Sequence, residues 1–288
     1  MSTLTKAARS LLAVPQRETF ITSLCLKLYL MGNYSRDKGF LLSEAIDGGI
    51  VKDLDLAILN EKEPEDCDDK DMFCQARVLK AFAGAFPRVL HFLTRLSVQR
   101  VIFTETFIIF CLTVALSWTF LRELFLACGA QLGFEGFMLS EVLQGTKDLH
   151  TLTIDFQGEK LWVQPEQKQF CPAFNNLKTL SILCVYVEFD LLWALNLLEA
   201  APSVELLFID TWEHICLVDQ MDEEGRKDIY GERTHPSWEI SEFTGTRKWR
   251  LKKLQFAGFR PLKQQLVFLK AIMDLRDNIS SPSQIIFL

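Results

Sequence analysis

The chain has 288 residues, of which 49% are hydrophobic and 24% are charged, and its formal net charge at pH 7 is −6. This composition is typical of a folded globular chain and argues against an intrinsically disordered one. The acidic balance argues against a general affinity for the phosphate backbone, so we expect no nucleic-acid partner.

In chain order, the sequence predicts strands and helices that alternate after a remnant or cap at residues 1–20. Strands are predicted at residues 21–30, 51–59, 93–98, 121–130, 149–156, 177–187, 204–211 and 285–288. Helices are predicted at residues 40–46, 75–86, 134–144, 189–201 and 262–275, with a polar turn at 33–39 and an irregular outer segment at 165–174.

A repeated L-x-x-L-x-L pattern organises these elements. It begins at residues 93, 121, 149, 177 and 204, at intervals of 28, 28, 28 and 27 residues. Looser copies begin at residues 21, 51 and 251. A period of this length with this pattern is typical of a leucine-rich repeat. The sequence therefore predicts an α/β leucine-rich-repeat solenoid with irregular repeats of about 28 residues, a parallel sheet on the concave face and helices outside.

The repeat frame divides the chain into parts. We predict a solenoid over residues 21–212, a long polar insertion at 213–250 and a C-terminal repeat or cap at 251–288. The basic end of the insertion, RKWRLKK, is interpreted as the solvated start of a strand rather than as a nucleic-acid patch. The acidic run at 61–71 is interpreted as a solvated loop, because Asp71 occupies the position where a calcium loop needs glycine.

Residues 106–121 form the most apolar stretch, with 16 residues between Glu105 and Arg122. A helix of that length spans roughly 24 Å, short of the roughly 30 Å hydrocarbon core of a bilayer. We favour a buried outer helix here. Membrane association through this stretch is the alternative.

The sequence predicts no catalysis, no cofactor and no metal site. The four histidines lack metal-ligand spacing, and there is no glycine-rich phosphate loop or G-x-S-x-G motif. The eight cysteines are scattered without a C-x-x-C motif, so we interpret them as reduced thiols of a cytoplasmic or nuclear protein.

The candidate site is a partner-binding surface on the concave face. If the fourth and sixth pattern positions point into the core, the third, fifth and seventh point the other way. These positions hold Glu123, Phe125, Ala127, Thr151, Thr153, Asp155, Thr179, Ser181, Leu183, Leu206, Phe208 and Asp210. Phe125, Leu183, Leu206 and Phe208 are predicted to form an apolar strip with a polar border. The alternative is that the strip is ordinary core or lies under an insertion.

Several long blocks carry a family resemblance. They include FITSLCLKLYLMGNYSRDKGFLLSEAI (20–46), LHTLTIDFQGEKLWVQPE (149–166) and LKKLQFAGFRPLKQQLVFLKAIM (251–273), together with residues 61–72, 187–205 and 232–244. On these blocks the chain resembles plant, grass-type F-box proteins of the leucine-rich-repeat and FBD-like group.

The resemblance implies the substrate-recognition part of a cullin-based ubiquitin-ligase adaptor, whose repeats hold a protein substrate. In that group an F-box docks a Skp-type adaptor. Only 20 residues precede the first repeat here, without the Leu-Pro opening of an F-box. We therefore expect a Skp-type partner only for a longer form with an F-box. A truncated or degenerate member that acts as a free binding module is the alternative.

Overall fold

The computed structural model describes residues 21–29, 32–49, 51–59, 62, 68–103, 118–130, 136–157, 161–164, 166, 172–187, 189–212, 249–274 and 284–288. The strands within these ranges are β1 Ile21–Tyr29, β2 Val51–Leu59, β3 Leu93–Phe103, β4 Glu123–Ala130, β5 Thr151–Asp155, β6 Thr179–Tyr186, β7 Leu206–Trp212, β8 Lys253–Ala257 and β9 Gln284–Phe287. The helices are α1 Gly32–Asp47, α2 Asp69–Ala85, α3 Pro87–His91, α4 Leu139–Val142, α5 Trp193–Ala200 and α6 Lys263–Asp274, and a 3₁₀ turn spans Pro172–Phe174.

These nine strands form one sheet in the order of the sequence, from β1 to β9. Every neighbouring pair is parallel. Parallel neighbours require the chain to cross back between strands, and helices make several of these crossings. The predicted α/β class with a parallel sheet is confirmed, and its sequential strand order is solenoid-like.

Two ladders of apolar side chains form the centre of the core. The fourth pattern positions align from β3 to β8 as Leu96, Leu124, Leu152, Leu180, Leu207 and Leu254. The sixth positions align as Val98, Leu126, Ile154, Ile182, Ile209 and Phe256. All twelve are buried, and full burial of each such side chain contributes roughly 1.5–3 kcal/mol.

The frame predicted for the first two strands is wrong by two residues. In the sheet, Leu56 pairs with Leu96 and Ile58 with Val98, and the register shifts between Leu54 and Asp55. The looser copy beginning at residue 51 predicts Leu54 and Leu56 at the fourth and sixth pattern positions, which Leu56 and Ile58 occupy instead. Because side chains alternate between faces, a slip of two residues keeps the same side chains on the core side.

Helix α2 starts earlier than the predicted range of 75–86. Asp68 caps it, since its carboxylate accepts the amide N–H of Asp71 at 2.8 Å, and the Asp71 carboxylate accepts the amide N–H of Asp68 at 3.1 Å. This reciprocal capping satisfies two donors that a helix start leaves open. The end of the acidic run is therefore a helix start and not a loop.

Two other local predictions are also wrong. The polar turn predicted at 33–39 lies within α1, where a Cβ on Gly39 would overlap the ring of Phe86, so this glycine permits close packing rather than a break. The described part of the helix predicted at 134–144, residues 136–144, contains only α4. Phe137 instead pairs with Val163, and its amide N–H donates to the Trp162 carbonyl at 3.2 Å.

Several predictions lie outside the described residues. These are the cap at 1–20, residues 63–67 of the acidic run, residues 106–117 of the apolar stretch and residues 213–248 of the polar insertion. Among the helices that are described, none combines the length and apolar character needed to cross a bilayer.

Candidate partner-binding face

The side chains that alternate with the core ladders form the opposite face of the sheet, here named the solvent face. Its first row contains Asp55, Arg95, Glu123, Thr151, Thr179, Leu206 and Lys253, and its second row contains Ala57, Ser97, Phe125, Thr153, Ser181, Phe208 and Gln255. The third row contains Gln99, Ala127, Asp155 and Leu183, and continues with Asp210 and Ala257 beyond an irregularity in β6. The repeated register therefore lines up residues that are far apart in sequence.

The predicted site residues all lie on this face. Each is partly exposed except Ala127, and the set comprises Glu123, Phe125, Thr151, Thr153, Asp155, Thr179, Ser181, Leu183, Leu206, Phe208 and Asp210. The prediction that Ala127 is exposed is wrong, since only 4% of its surface is accessible. Its small methyl lies in register between the longer side chains of Gln99 and Asp155.

The predicted apolar strip is divided into two parts. Leu206 and Phe208 project from the same face of β7, and Leu183 lies on neighbouring β6, one position beyond the pair Ile182–Ile209. These three residues are named the β6–β7 apolar cluster. Phe125 lies on β4, which is two strand spacings or roughly 10 Å from β6 and three spacings or roughly 14 Å from β7. Thr153 and Ser181 fill the row between Phe125 and Phe208.

A cation joins the acidic groups beside Phe125. The Arg95 Nε donates to the Glu123 Oε2 at 3.0 Å, and its Nη1 donates to the Asp55 Oδ2 at 3.4 Å. Arg95 is exposed, so these pairs contribute little to stability. The pairs place charges of both signs in the first row of the face, beside the row that contains Phe125.

A second charged group precedes strands β6, β7 and β8. The Glu205 carboxylate accepts a hydrogen bond from the Lys252 Nζ at 2.6 Å. It lies 3.6 Å from the Lys178 Nζ. The hydrogen bond from Lys252 lowers the pKa of Glu205, and the charge of Lys178 acts in the same direction. Lys252, from the basic RKWRLKK segment, is thus ion-paired at the start of a strand, in line with the favoured interpretation of that segment.

The other end of the face carries two carboxylates around a thiol. The Cys184 Sγ lies 4.0 Å from the Asp210 Oδ2, and the Asp155 carboxylate accepts the amide N–H of Gln157 at 2.8 Å. Burial, with the nearby charge of Asp155, raises the pKa of Cys184 to about 12. Burial also raises the pKa of Asp210. A thiol of that pKa stays protonated near neutral pH and is a poor nucleophile.

The arrangement of this acidic end could not be predicted from the sequence because it depends on backbone irregularities. Cys184 has a φ of 52° and Gln157 a φ of 57°, in the left-handed region that residues other than glycine seldom adopt. The register of β6 shifts between Ile182 and Val185, which places the Cys184 side chain beside Asp210. The sequence does predict Asp155 and Asp210 on this face, at the seventh pattern position.

The described part of the chain contains no group of three or more His, Cys, Asp or Glu side chains placed to hold a metal ion. The chemistry available on the solvent face is therefore hydrogen bonding, ion pairing and apolar contact. The expectation that the chain needs no metal or cofactor stays a prediction.

No protein-family model matches the chain, and no curated protein matches it either. The resemblance to the plant F-box group therefore stays a prediction carried by the sequence blocks.

Proposed function

We propose that the chain is a leucine-rich-repeat solenoid that binds a protein partner on its solvent face and catalyses no reaction. The observation that carries the proposal is the β6–β7 apolar cluster, whose members are partly exposed on a parallel sheet. The regular 28-residue spacing and the sequential order of the strands support the repeat assignment.

The arrangement of the face matches the anatomy of protein interfaces. Such interfaces have an apolar centre with aromatic anchors and a polar rim. Phe208 and Leu206 supply the centre, Glu205 with its two lysines lies at one end, and Asp155 with Asp210 lies at the other. Because strands fix these side chains before binding, little ordering cost is added on association.

The family resemblance extends this proposal. The partner would be a protein destined for ubiquitin-dependent degradation, held by the repeats of an F-box-type adaptor in the cytoplasm or nucleus. A test is co-purification of the chain with a Skp-type adaptor and a cullin from the source tissue, with and without upstream exons that encode an F-box. Association only with the longer form supports the adaptor role. If neither form associates, the adaptor role fails and the free binding module remains.

The binding proposal predicts a large effect of Phe208→Ala on affinity. Removing a central aromatic anchor should weaken the Kd for a purified partner at least tenfold, about 1.4 kcal/mol. Phe125→Ala should have a smaller effect because Phe125 lies outside the cluster. Isothermal titration calorimetry with each variant measures both.

A matched control is Phe73→Ala, which removes an exposed aromatic ring from helix α2. This substitution should leave the Kd within about twofold of that of the unaltered chain. Equal affinities for Phe208→Ala and the unaltered chain would show that the partner binds elsewhere.

A further inference from the structure

Strand β9 is bonded along one edge only within the described sheet. The Gln284 amide N–H donates to the Lys252 carbonyl at 2.9 Å, and the Leu288 amide N–H donates to the Phe256 carbonyl at 3.0 Å. Backbone groups of successive strand residues point to opposite edges. The N–H and C=O groups of Ile285 and Phe287 therefore point away from β8, toward an edge with which no other described strand pairs.

The side chains of β9 continue the core ladders beyond β8. Ile285 pairs with the buried Leu254, and Phe287 with the buried Phe256, yet Ile285 is 37% and Phe287 is 52% exposed. Edge strands of soluble proteins are commonly protected by charges, prolines or covering segments. The strand Gln284–Phe287 carries neither a charge nor a proline. This end of the sheet is suited to pairing with another strand.

We propose that β9 is the interface of a symmetric dimer of this chain. The two β9 strands pair antiparallel about a two-fold axis that passes beside Ile286, perpendicular to the sheet. Ile285 of each copy then faces Phe287 of the other in a hydrogen-bonded pair, so all four outward backbone groups of each strand are satisfied. The facing isoleucine and phenylalanine side chains form the kind of β-branched and aromatic pair that stabilises antiparallel strands.

The apolar area at this end favours a second copy as the occupant. Leu288, which directly follows β9, is 66% exposed. With Ile285 and Phe287, and roughly 200 Å² for each large side chain, these residues present about 300 Å² per copy. The same patch on both copies meets itself, as a two-fold interface requires.

The test is the mass of the intact chain in solution by sedimentation equilibrium. The unaltered chain should have twice its mass of 33.1 kDa, and Ile286→Lys should halve that mass. The substitution places two like charges opposite each other at the two-fold axis. Gln255→Lys is the matched control, since Gln255 neighbours Ile286 in the same row on β8 but lies away from the axis. It should remain dimeric.

A second variant keeps the test independent of the folding of Ile286→Lys. Ile286→Cys should form a disulfide between copies under mild oxidation, because facing residues at this position of an antiparallel pair have Cα atoms about 4.5 Å apart. Gln255→Cys and the unaltered chain should cross-link much less on a non-reducing gel. Selective cross-linking through position 286 supports the proposal.

Three results would overturn the dimer. These are a monomeric unaltered chain, a dimer unchanged by Ile286→Lys, and equal cross-linking of the two cysteine variants. Open-ended polymers that persist in Ile286→Lys would also overturn it and would indicate head-to-tail pairing of β9 with β1. None of these results depends on whether the solvent face binds a partner.

Discussion

Single glycines decide how closely the outer helices approach each other. Gly39 of α1 is buried against the ring of Phe86, whereas Gly84 of α2 is exposed and has open space where a Cβ would lie. Both lie within helices, where alanine is intrinsically favoured over glycine by roughly 0.8–1 kcal/mol. The local packing should therefore determine the sign of each substitution.

We predict opposite effects for the two glycine-to-alanine substitutions. Gly84→Ala should raise the free energy of unfolding by about 0.5–1 kcal/mol, through helix propensity alone. Gly39→Ala should lower it by about 1–3 kcal/mol, because the new methyl overlaps the Phe86 ring. Urea unfolding followed by circular dichroism measures both. Stabilisation by both substitutions would contradict the packing described for α1.

A buried carboxyl group makes stability depend on pH. Glu166 is 4% exposed and accepts the amide N–H of Ser140 at 2.9 Å. Burial raises the pKa of Glu166, and the hydrogen bonds from Ser140 oppose that shift. A pKa that is higher in the folded state gives stability that is present at low pH and is lost as the pH rises through the folded-state pKa.

Glu166→Gln should remove this dependence. Glutamine keeps an oxygen that can accept the Ser140 amide N–H, and it is neutral at every pH. The free energy of unfolding of the variant, relative to the unaltered chain, should therefore increase as the pH rises from about 4 to about 7. Chemical unfolding at a series of pH values measures the difference. A difference that stays constant with pH would contradict the assignment.

For single residues, the sequence predicts the face of the strand on which a side chain lies. It predicts the exposed fraction of that side chain less well. Phe125 and Phe208 lie on the predicted face, but Ala127, on the same face, is covered by its neighbours. The meeting of Asp155, Cys184 and Asp210 could not be read from spacing. It requires a residue in the left-handed region of backbone conformation and a shift in the register of β6. Neither feature leaves a distinct signal in the sequence.

Strands are the elements that the sequence predicts best, because their core positions repeat at a fixed interval. From β3 to β8 the predicted fourth and sixth positions pair in register. The connecting segments are less regular, and the helix predicted at 134–144 fails since Gly136 and Phe137 approach the Trp162 backbone instead. Sequence periodicity predicts which face of a repeated strand is buried. It does not predict which backbone groups an irregular segment will contact.

The two faces of one strand should respond differently to substitution. Leu152 of β5 is fully buried between Leu124 and Leu180, whereas Thr153 lies partly exposed on the solvent face. Leu152→Ala should lower the free energy of unfolding by about 2–5 kcal/mol. Thr153→Ala should change it by about 0.5 kcal/mol or less. Urea unfolding of the two variants compares them, and similar losses would contradict the division into faces.

At the scale of the whole molecule, the sheet keeps its register across the long polar insertion. The pattern positions 204 and 251 are 47 residues apart, yet Leu207 of β7 pairs directly with Leu254 of β8. A long excursion between paired strands adds little closure cost, since that cost grows only slowly with loop length. Among the described residues, the rows of the solvent face therefore continue directly from β7 to β8.

A continuous sheet gives the proposed binding face its rigidity. Strands β6 and β7 each pair with two neighbours, so the β6–β7 apolar cluster is positioned by β5 and β8 as well as by its own strands. The identity of the partner could not be predicted from the sequence. The face supplies apolar area and charge of both signs, and many proteins could complement that combination.

Site-specific photo-cross-linking of the purified partner tests the proposed binding face most directly. A photoreactive phenylalanine analogue is placed at position 208 on the solvent face, or at position 73 on α2 as the control. The proposed function predicts a strong cross-link to the partner from position 208 and little from position 73. Cross-linking from position 73 but not from 208 would contradict it and would place the partner on the helical side.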